Sequence, residues 1–578
     1  MSYRVGSGSA DITANVPEIV MLGYGNPGNF VEGVETPLRV RVFYFKNSNG
    51  QELIFANFEI CFITQILRET ILDFLKGLSN SNWRDANVIL TAQHTHSAPS
   101  GYTHYALYNM PTPGFCQQVL DTLVDGFKEA FASAKENSVA AKVLYKAAEF
   151  PPEIPVAYNR SMSAYKRNNE VAGKRLRIED QNLCVDRTMR ALHIVSESGP
   201  VGFINWFAVH CTSVMWTNRL ISPDNKGYAS LEMEQFVRKE SGAGNFEAIF
   251  AQGNAGDVSP LYQVPKWKRY LPRDVSDDFA KARHNGHLQF EQALKIFKNS
   301  GEELSGDIDS EFLYVDMSCQ KVDPEFLPKR YKRRNITTSP ACLGVAFLKG
   351  AENAGIDFFI AYPAILISYI IMWFEIFVTS ILNAKMAQAV RKKYKSQAPK
   401  AIFVESGARR IWGTRKVVGL VLPGAVDPTI KYFKRLARRN ALGKKSWTQQ
   451  VLPAQVTVMG SLCLVMLPAE TSTMAGERIA KYVAKMLKRN GVKHVVLSPY
   501  ANGYSGYIVT PEEYSAQCYE GGHCVFGRWT LPAWLTVLKG ICEEMQKAPD
   551  QRSMDRSLRP PTFTNEEISK RSFVAHGY

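Results

Sequence analysis

Residues 87–96 read NVILTAQHTH. The run VILTA is apolar and β-branched without alternation, the pattern of a buried strand, and it leads straight into polar residues capable of chemistry. The same arrangement recurs in both directions along the chain. Upstream, VRVFYF (41–46) and ELIFANFEI (52–60) read as strands joined through the turn Asn47-Ser48-Asn49-Gly50. ILRETILDFLKGL (66–78) has helical spacing and ends at Gly77 and polar turn residues. Downstream, MRALHIV (189–195) and VGFINWFAVH (201–210) read as strands, and FEAIFAQGNAGDVSP (246–260) as a strand entering a glycine-rich loop. QVTVMGSLCLVMLPAE (455–470) is a strand pair ending at an acid, ETSTMAGERIAKYVAKML (470–487) is helical, and HVVLSPYANGYSGY (494–507) is a strand and a loop. Interleaved strands and helices predict a mixed α/β (α+β) fold around a large sheet.

The 578 residues allow two to four domains, or one large domain with insertions. With 45% hydrophobic and 21% charged residues, a disordered chain, a collagen and a coiled coil are excluded. Ten scattered cysteines without a CxxC pair exclude a disulfide scaffold and a zinc-finger or thioredoxin-like site. The formal charge of +15 is local: Lys385–Lys445 holds 17 Lys and Arg against Glu405 and Asp427, so the rest of the chain sums to zero. Such a block suits an anionic surface. It lacks the regularly interleaved aromatics of a single-strand nucleic-acid platform, so no nucleic-acid partner is expected.

Four strand ends carry the chemistry. Gln93-His94-Thr95-His96-Ser97 holds an H-x-H whose imidazoles, in an extended chain, point to one face; the alternative is a structural pair. His210 follows the apolar run NWFAV, where a hydrogen-bonded core histidine is the commoner role. In Gly253–Pro260 the glycines permit close backbone approach to a ligand, and Ser259 is a nucleophile, a substrate contact or part of a plain turn. Glu470 closes LPAE, where taken alone it would cap the following helix.

Together these blocks resemble one family. AQHTHSAP, NWFAVHCTS, SPDNKGYAS, GNAGDVSP, LPAETSTMAGERI and GYSGYIVTPEEYSAQCYEGG, in that order, are similar to the sequence blocks of the neutral (non-lysosomal) ceramidases. So are GSGSADIT…MLGYGNPG and Tyr158-Asn159-Arg160-Ser161 followed by Ser163-Ala164-Tyr165. The resemblance covers about 1–345 and 450–540. It implies a zinc amidase, one ion per chain, that cleaves ceramide to sphingosine and a fatty acid. Carried over block by block, it implies His94, His210, Glu470 and Tyr507 as metal ligands, Tyr507 as the second tyrosine of Tyr504-x-x-Tyr507. A phenol is an uncommon zinc ligand. His96, Arg160 and Tyr519 match positions facing the scissile amide, and Ser259 matches the serine of GDVSP, either as a contact for a head-group hydroxyl or as a nucleophile. An amide, a poor electrophile with a poor leaving group, demands this kind of metal assistance. Other readings are another N-acyl lipid as substrate, since Leu261 stands where an asparagine commonly follows GDVSP, and a non-catalytic lipid-binding protein.

The stretch 350–445 has no recognised counterpart. Within it FFIAYPAILISYIIMWFEIFVTSIL (358–382) bears one charge, Glu375. As a helix it runs about 38 Å, enough to cross a hydrocarbon core of about 30 Å. A single crossing would place His210 and Ser259 on one side of a bilayer and Glu470 and Tyr507 on the other. The expectation is therefore a monotopic, membrane-associating segment: Pro363 and Glu375 break or shallow it, and Arg391–Lys395 and Lys431–Lys445, including a basic amphipathic helix KYFKRLARR (431–439), grip anionic head groups. The expected division is 1–349 and 446–548 as two parts of one catalytic domain, 350–445 as the insertion, and 549–578 as a polar tail. No immunoglobulin-like C-terminal domain is expected, and the start MSYRVGSGSADIT shows no secretory signal.

Overall fold

The computed structural model describes residues 3–26, 28–109, 114–262, 277–348, 350–351, 358–419 and 428–573. Two β-sheets stack face to face, with helices outside both. The larger sheet runs in the order Glu247–Gln252, Gly199–Phe207, Thr188–Ser196, Val139–Glu149, Tyr3–Asp11, Arg39–Asn47, Glu52–Phe58, Val88–Ala92, with Glu302–Leu304 also on Val139–Glu149. It is antiparallel through the middle and parallel at both edges. The smaller sheet has the order Ile308–Asp316, Val451–Met459, Leu462–Met466, His494–Ser498, its last pair parallel. The strands and helices read from the sequence are present at these positions.

Side-chain alternation explains the layering. In Leu462–Met466, Leu462, Leu464 and Met466 join Phe43, Phe45, Phe55 and Trp206 in the core between the sheets. Cys463 and Val465 point the other way, into the core beneath the helices Thr473–Leu487 and Thr530–Met545. On the larger sheet Val40, Val42 and Tyr44 face the helix Gln117–Glu136 while Phe43 and Phe45 face inward. A second pair of helices, Asp224–Ser241 and Asp278–Phe297, covers the other end of the outer face through Met233, Phe290, Phe203 and Phe250.

The larger sheet curls over, so that Glu247–Gln252 returns against Tyr3–Asp11, Arg39–Asn47 and Val88–Ala92. Gly202 permits this: a Cβ there would collide with the Phe43 ring. A buried ion cluster ties the curl, with Arg41 reaching Glu59 at 2.6 Å and Glu234 at 2.5 Å. The result is that the loops after Val88–Ala92 and after Gly199–Phe207 become neighbours, joined by a bridge between Thr95 and Cys211.

Phe358–Leu382 is one helix of 25 residues with Pro363 inside it. Asn383 caps the next helix, Ala384–Gln397, which folds back against it. Pro428–Arg438 is a helix, but its apolar residues Ile430, Phe433 and Leu436 are buried in the protein core, Phe433 against Trp447 at 4.4 Å. The basic amphipathic helix predicted at 431–439 thus lays its apolar side on the body, leaving Lys431 and Arg438 at the surface.

A cluster of buried polar groups between the two halves

The loop after Val88–Ala92 begins with His94 at φ +77, a left-handed conformation that costs a non-glycine residue about 1 kcal/mol or more. The H-x-H is therefore not extended as the sequence suggested. The backbone turns at His94, whose N–H donates to the Ile60 carbonyl, and the two rings still meet, Nε2 to Nε2, at 3.1 Å. Gly23 leaves the room His96 occupies, since a Cβ there would strike the ring.

His94 Nδ1 donates to the Cys61 carbonyl at 2.6 Å, and His210 Nδ1 to the Val258 carbonyl at 2.9 Å. With Nδ1 protonated in each, both Nε2 lone pairs are left for the centre. There they face Glu470: Oε2 lies 3.0 Å from His210 Nε2 and 3.5 Å from His94 Nε2. All three side chains are buried. Glu470 and Tyr507 sit opposite each other in a short parallel pairing, Glu470–Thr471 with Tyr507–Ile508. The acid comes from the loop after the Leu462–Met466 strand, the tyrosine from the loop after its parallel neighbour His494–Ser498. The four residues thus arrive from four separate strand ends.

Around this ring, Tyr504 donates to Glu470 Oε1 at 2.5 Å and Tyr500 to Oε2 at 3.3 Å. Arg160 donates through Nη2 to the Tyr507 oxygen at 3.1 Å and to the Gly256 carbonyl at 2.9 Å, and through Nε to Glu520 at 2.9 Å. The Tyr519 ring lies 5.7 Å from the Arg160 guanidinium and 5.7 Å from the Tyr507 ring. Asp257 knits the segments together: its carboxylate accepts from Asn159 and from both the N–H and hydroxyl of Thr473, and its carbonyl from Arg160 N–H. Ser259 is fully buried, pairs with Tyr158 across a two-residue ladder, and accepts from Leu261 N–H at 3.0 Å. Among the described residues it has no hydrogen bond to a histidine or lysine.

Burial opposes ionisation of Glu470, but His94 and His210 outweigh it and hold the carboxyl well below the usual range. Burial, then the charge of Arg160, lowers the pKa of His210; burial, then His94 and His210, lowers that of His96. Burial and the Glu470 charge push the Tyr507 phenol far above 10, with Arg160 pulling against them. An ionised carboxylate at Glu470 and a neutral imidazole at His210 are the protonation states a divalent cation requires of such ligands. The buried His210 Nε2 finds no hydrogen-bond partner among the described residues, which leaves its lone pair free for a ligand bond. His94, His210 and Glu470 offer ligand atoms within 4.8 Å of one another, a spacing that fits one ion.

The structure brings His94, His96, His210, Glu470, Tyr507, Arg160 and Tyr519 together; Ser259 is held on the strand that supplies the Val258 carbonyl to His210. Sequence reasoning passed over Tyr500, Tyr504, Cys61, Asp257 and Glu520. Four of them stood inside quoted blocks, Tyr500 and Tyr504 in HVVLSPYANGYSGY, Asp257 in GNAGDVSP and Glu520 beside Tyr519, but nothing in spacing alone pairs a loop tyrosine with a distant acid.

A family model described as neutral/alkaline non-lysosomal ceramidase, N-terminal, matches residues 3–418 and 436–536. It therefore runs across most of 350–445, leaving 419–435 between its two parts. The neutral ceramidase of Pseudomonas aeruginosa is 31% identical over 536 residues, covering 92% of this chain and 71% of that protein. The crystal structure of neutral ceramidase from Pseudomonas aeruginosa superposes with a TM-score of 0.75 at 28% identity, covering 97% of this chain and 77% of the other. A solved structure described as ceramidase complexed with C2 gives 0.76 at 28% identity, with the same coverage. On this evidence of sequence and fold, the chain belongs to the neutral/alkaline non-lysosomal ceramidase family.

Proposed function

We propose that this protein is a zinc-dependent amidohydrolase that cleaves the N-acyl amide of ceramide to sphingosine and a fatty acid at a membrane surface, and that it is membrane-associated. The observation that carries the chemistry is the convergence of the His94 and His210 Nε2 atoms on Glu470, beside Tyr507, with both Nδ1 atoms tied to backbone carbonyls. Family membership and the relative described as complexed with C2 support the substrate.

His94, His210, Glu470 and Tyr507 would hold one Zn²⁺. When bound, zinc supplies a nucleophile at neutral pH by lowering the pKa of water from about 15.7 to about 7, and it polarises a carbonyl. Tyr507 would offer its oxygen to that ion, with Arg160 beside it favouring the ionised form. Arg160 holds that oxygen in place and, with Tyr519, presents positive charge and a hydroxyl donor to negative charge developing on the amide oxygen. His96, kept neutral by burial, would take the proton that the attacking water gives up and return it to the departing amine. Ser259 contacts a head-group hydroxyl: among the described residues no histidine or lysine hydrogen-bonds it to act as the base a nucleophilic serine needs. Leu261, half-exposed beside Ser259, favours a second reading in which the same site takes another N-acyl lipid.

Metal analysis of the purified chain with a ceramide hydrolysis assay is the test. The expected result is one zinc per chain and turnover abolished by His94→Ala. A zinc-free protein whose turnover is indifferent to that substitution would sink the proposal.

A further inference from the structure

The helix Phe358–Leu382 is inverted relative to an ordinary surface helix. Ser368, Glu375 and Thr379 face the protein, while Ser380 is exposed and accepts from Arg391 at 2.9 Å. Ser368 accepts from Trp412 Nε1 at 3.0 Å. Glu375 binds Lys393 and Arg410, each at 2.9 Å, and accepts from Tyr394 at 2.6 Å. Thr379 is buried and donates to the Glu375 carbonyl at 2.7 Å. The opposite face is apolar and open: Leu366, Ile370, Trp373, Phe377 and Ile381 follow one another at helical spacing of three or four, and are 58–70% exposed. Tyr362 and Phe374 flank them at 55% and 66%. Only 11% of the most apolar stretch is buried, so this is not a core helix. A stripe of this size on a soluble surface marks an interaction site.

The surroundings identify the occupant. The helix that folds back carries Lys385, Arg391, Lys392 and Lys395 exposed. The nearby acids Glu375 and Glu405 are consumed by Lys393 and Arg410. A row of hydrocarbon beside cations that form no ion pair among the described residues complements an anionic lipid leaflet. The hairpin does not cross. Leu343–Gly344 before it and Ile402–Glu405 after it lie side by side in one small sheet, so the chain leaves and re-enters the body at the same place. The short helix Val345–Leu348 connects this face to the site: it packs on Phe358–Leu382 and on Tyr519–His523, with Phe347 stacked on Tyr519 at 5.4 Å.

We propose that the outward face of Phe358–Leu382 inserts flat into one leaflet of an anionic phospholipid bilayer, presenting the Tyr519 side of the site to lipid in that leaflet. This deepens the membrane part of the function proposed above and rests on it for the identity of the lipid, but not for binding itself. Each large side chain removed from water on that face strengthens binding, and a carboxylate placed there opposes it.

The experiment is flotation of the full chain with vesicles of phosphatidylcholine alone or with phosphatidylserine. Wild type is expected to float with the anionic vesicles and to stay bound in high salt. Combined Ile370→Asp, Trp373→Asp and Phe377→Asp should cut partitioning about a hundredfold or more, while hydrolysis of a soluble short-chain ceramide and the melting temperature stay at wild type. Because that variant can misfold, a second measurement uses native sequence: brominated lipids should quench tryptophan fluorescence, and Trp373→Phe should remove part of that quenching. Wild type that fails to float, a triple variant that floats equally, or release by salt or carbonate overturns the insertion. A wild-type dimer that the triple variant converts to monomer, without vesicle binding, overturns it in favour of a second copy. Hydrolysis without vesicle binding defeats the surface and leaves the chemistry; flotation without hydrolysis does the reverse.

Discussion

The site cluster and the helix Phe358–Leu382 break the same rule in opposite directions. Around Glu470, the interior gathers ionisable groups with unsatisfied lone pairs. Along Phe358–Leu382, the exterior gathers tryptophan, phenylalanine and isoleucine. Each departure costs stability, which the proposed cation would offset for the first and the proposed hydrocarbon contact for the second. The polar scaffolding of both is local and specific. Backbone carbonyls orient His94 and His210, and the Lys393–Glu375–Arg410 group orients the helix. Positions that violate packing rules and are yet held rigidly are where function concentrates.

The comparison breaks hardest at its centre. Glu470→Ala should abolish both zinc binding and ceramide turnover while leaving vesicle flotation intact; metal analysis and flotation on the same preparation check this. A variant that keeps its zinc would dissolve the contrast between the two regions. Next, Tyr504→Phe removes the 2.5 Å bond to Glu470 Oε1. Outer-shell partners of metal ligands are worth about 10–100-fold in metal affinity, and a zinc titration should show a loss in that range with little change in melting temperature. Smaller again, Trp373→Ala alone should weaken vesicle binding about tenfold and leave soluble-substrate turnover unchanged. An effect on turnover instead would mean that the helix belongs to the site.

The smallest effect is set by pH. Burial opposes ionisation of Glu375, but Lys393, Tyr394 and Arg410 outweigh it and hold its pKa below the usual value. A depressed carboxylate contributes stability that is complete above its unfolded pKa of about 4.3 and is lost as pH falls through the lower folded value. Hydrogen exchange over Phe358–Leu382 should therefore quicken below about pH 4, sooner than exchange in the Val88–Ala92 strand. Glu375→Gln should abolish that acid dependence, at a cost of about 1 kcal/mol, less than for a fully buried pair.

Much of this was legible in the residues. Buried strands announce themselves by continuous apolar runs, and QVTVMGSLCLVMLPAE became the strands Val451–Met459 and Leu462–Met466 because Gly460 and Ser461 turn the chain between them. The residues His94, His210, Glu470 and Tyr507 were named from block resemblance. Their meeting was not readable from spacing, because they are separated by up to 413 positions and converge only where the curled large sheet meets strand ends of the smaller one. Tyr504 and Glu520 escaped for the same reason: a hydrogen bond between loops leaves no periodicity. For Phe358–Leu382 the difficulty was different. Four polar residues among so many apolar ones give almost no periodic signal, so the sequence cannot show that Ser368, Glu375 and Thr379 share the inward face while Ser380 does not.

From its own order of residues the chain determined its strands and helices, its family, and the chemical types gathered at its site, because local propensity and alternation act over a few neighbours. Tertiary structure alone decided which strand ends meet, which imidazole nitrogen faces the Glu470 carboxylate, and which side of the apolar helix is left open. Those are settled by long-range packing, where the burial of one sheet upon another fixes positions that no neighbouring residue encodes.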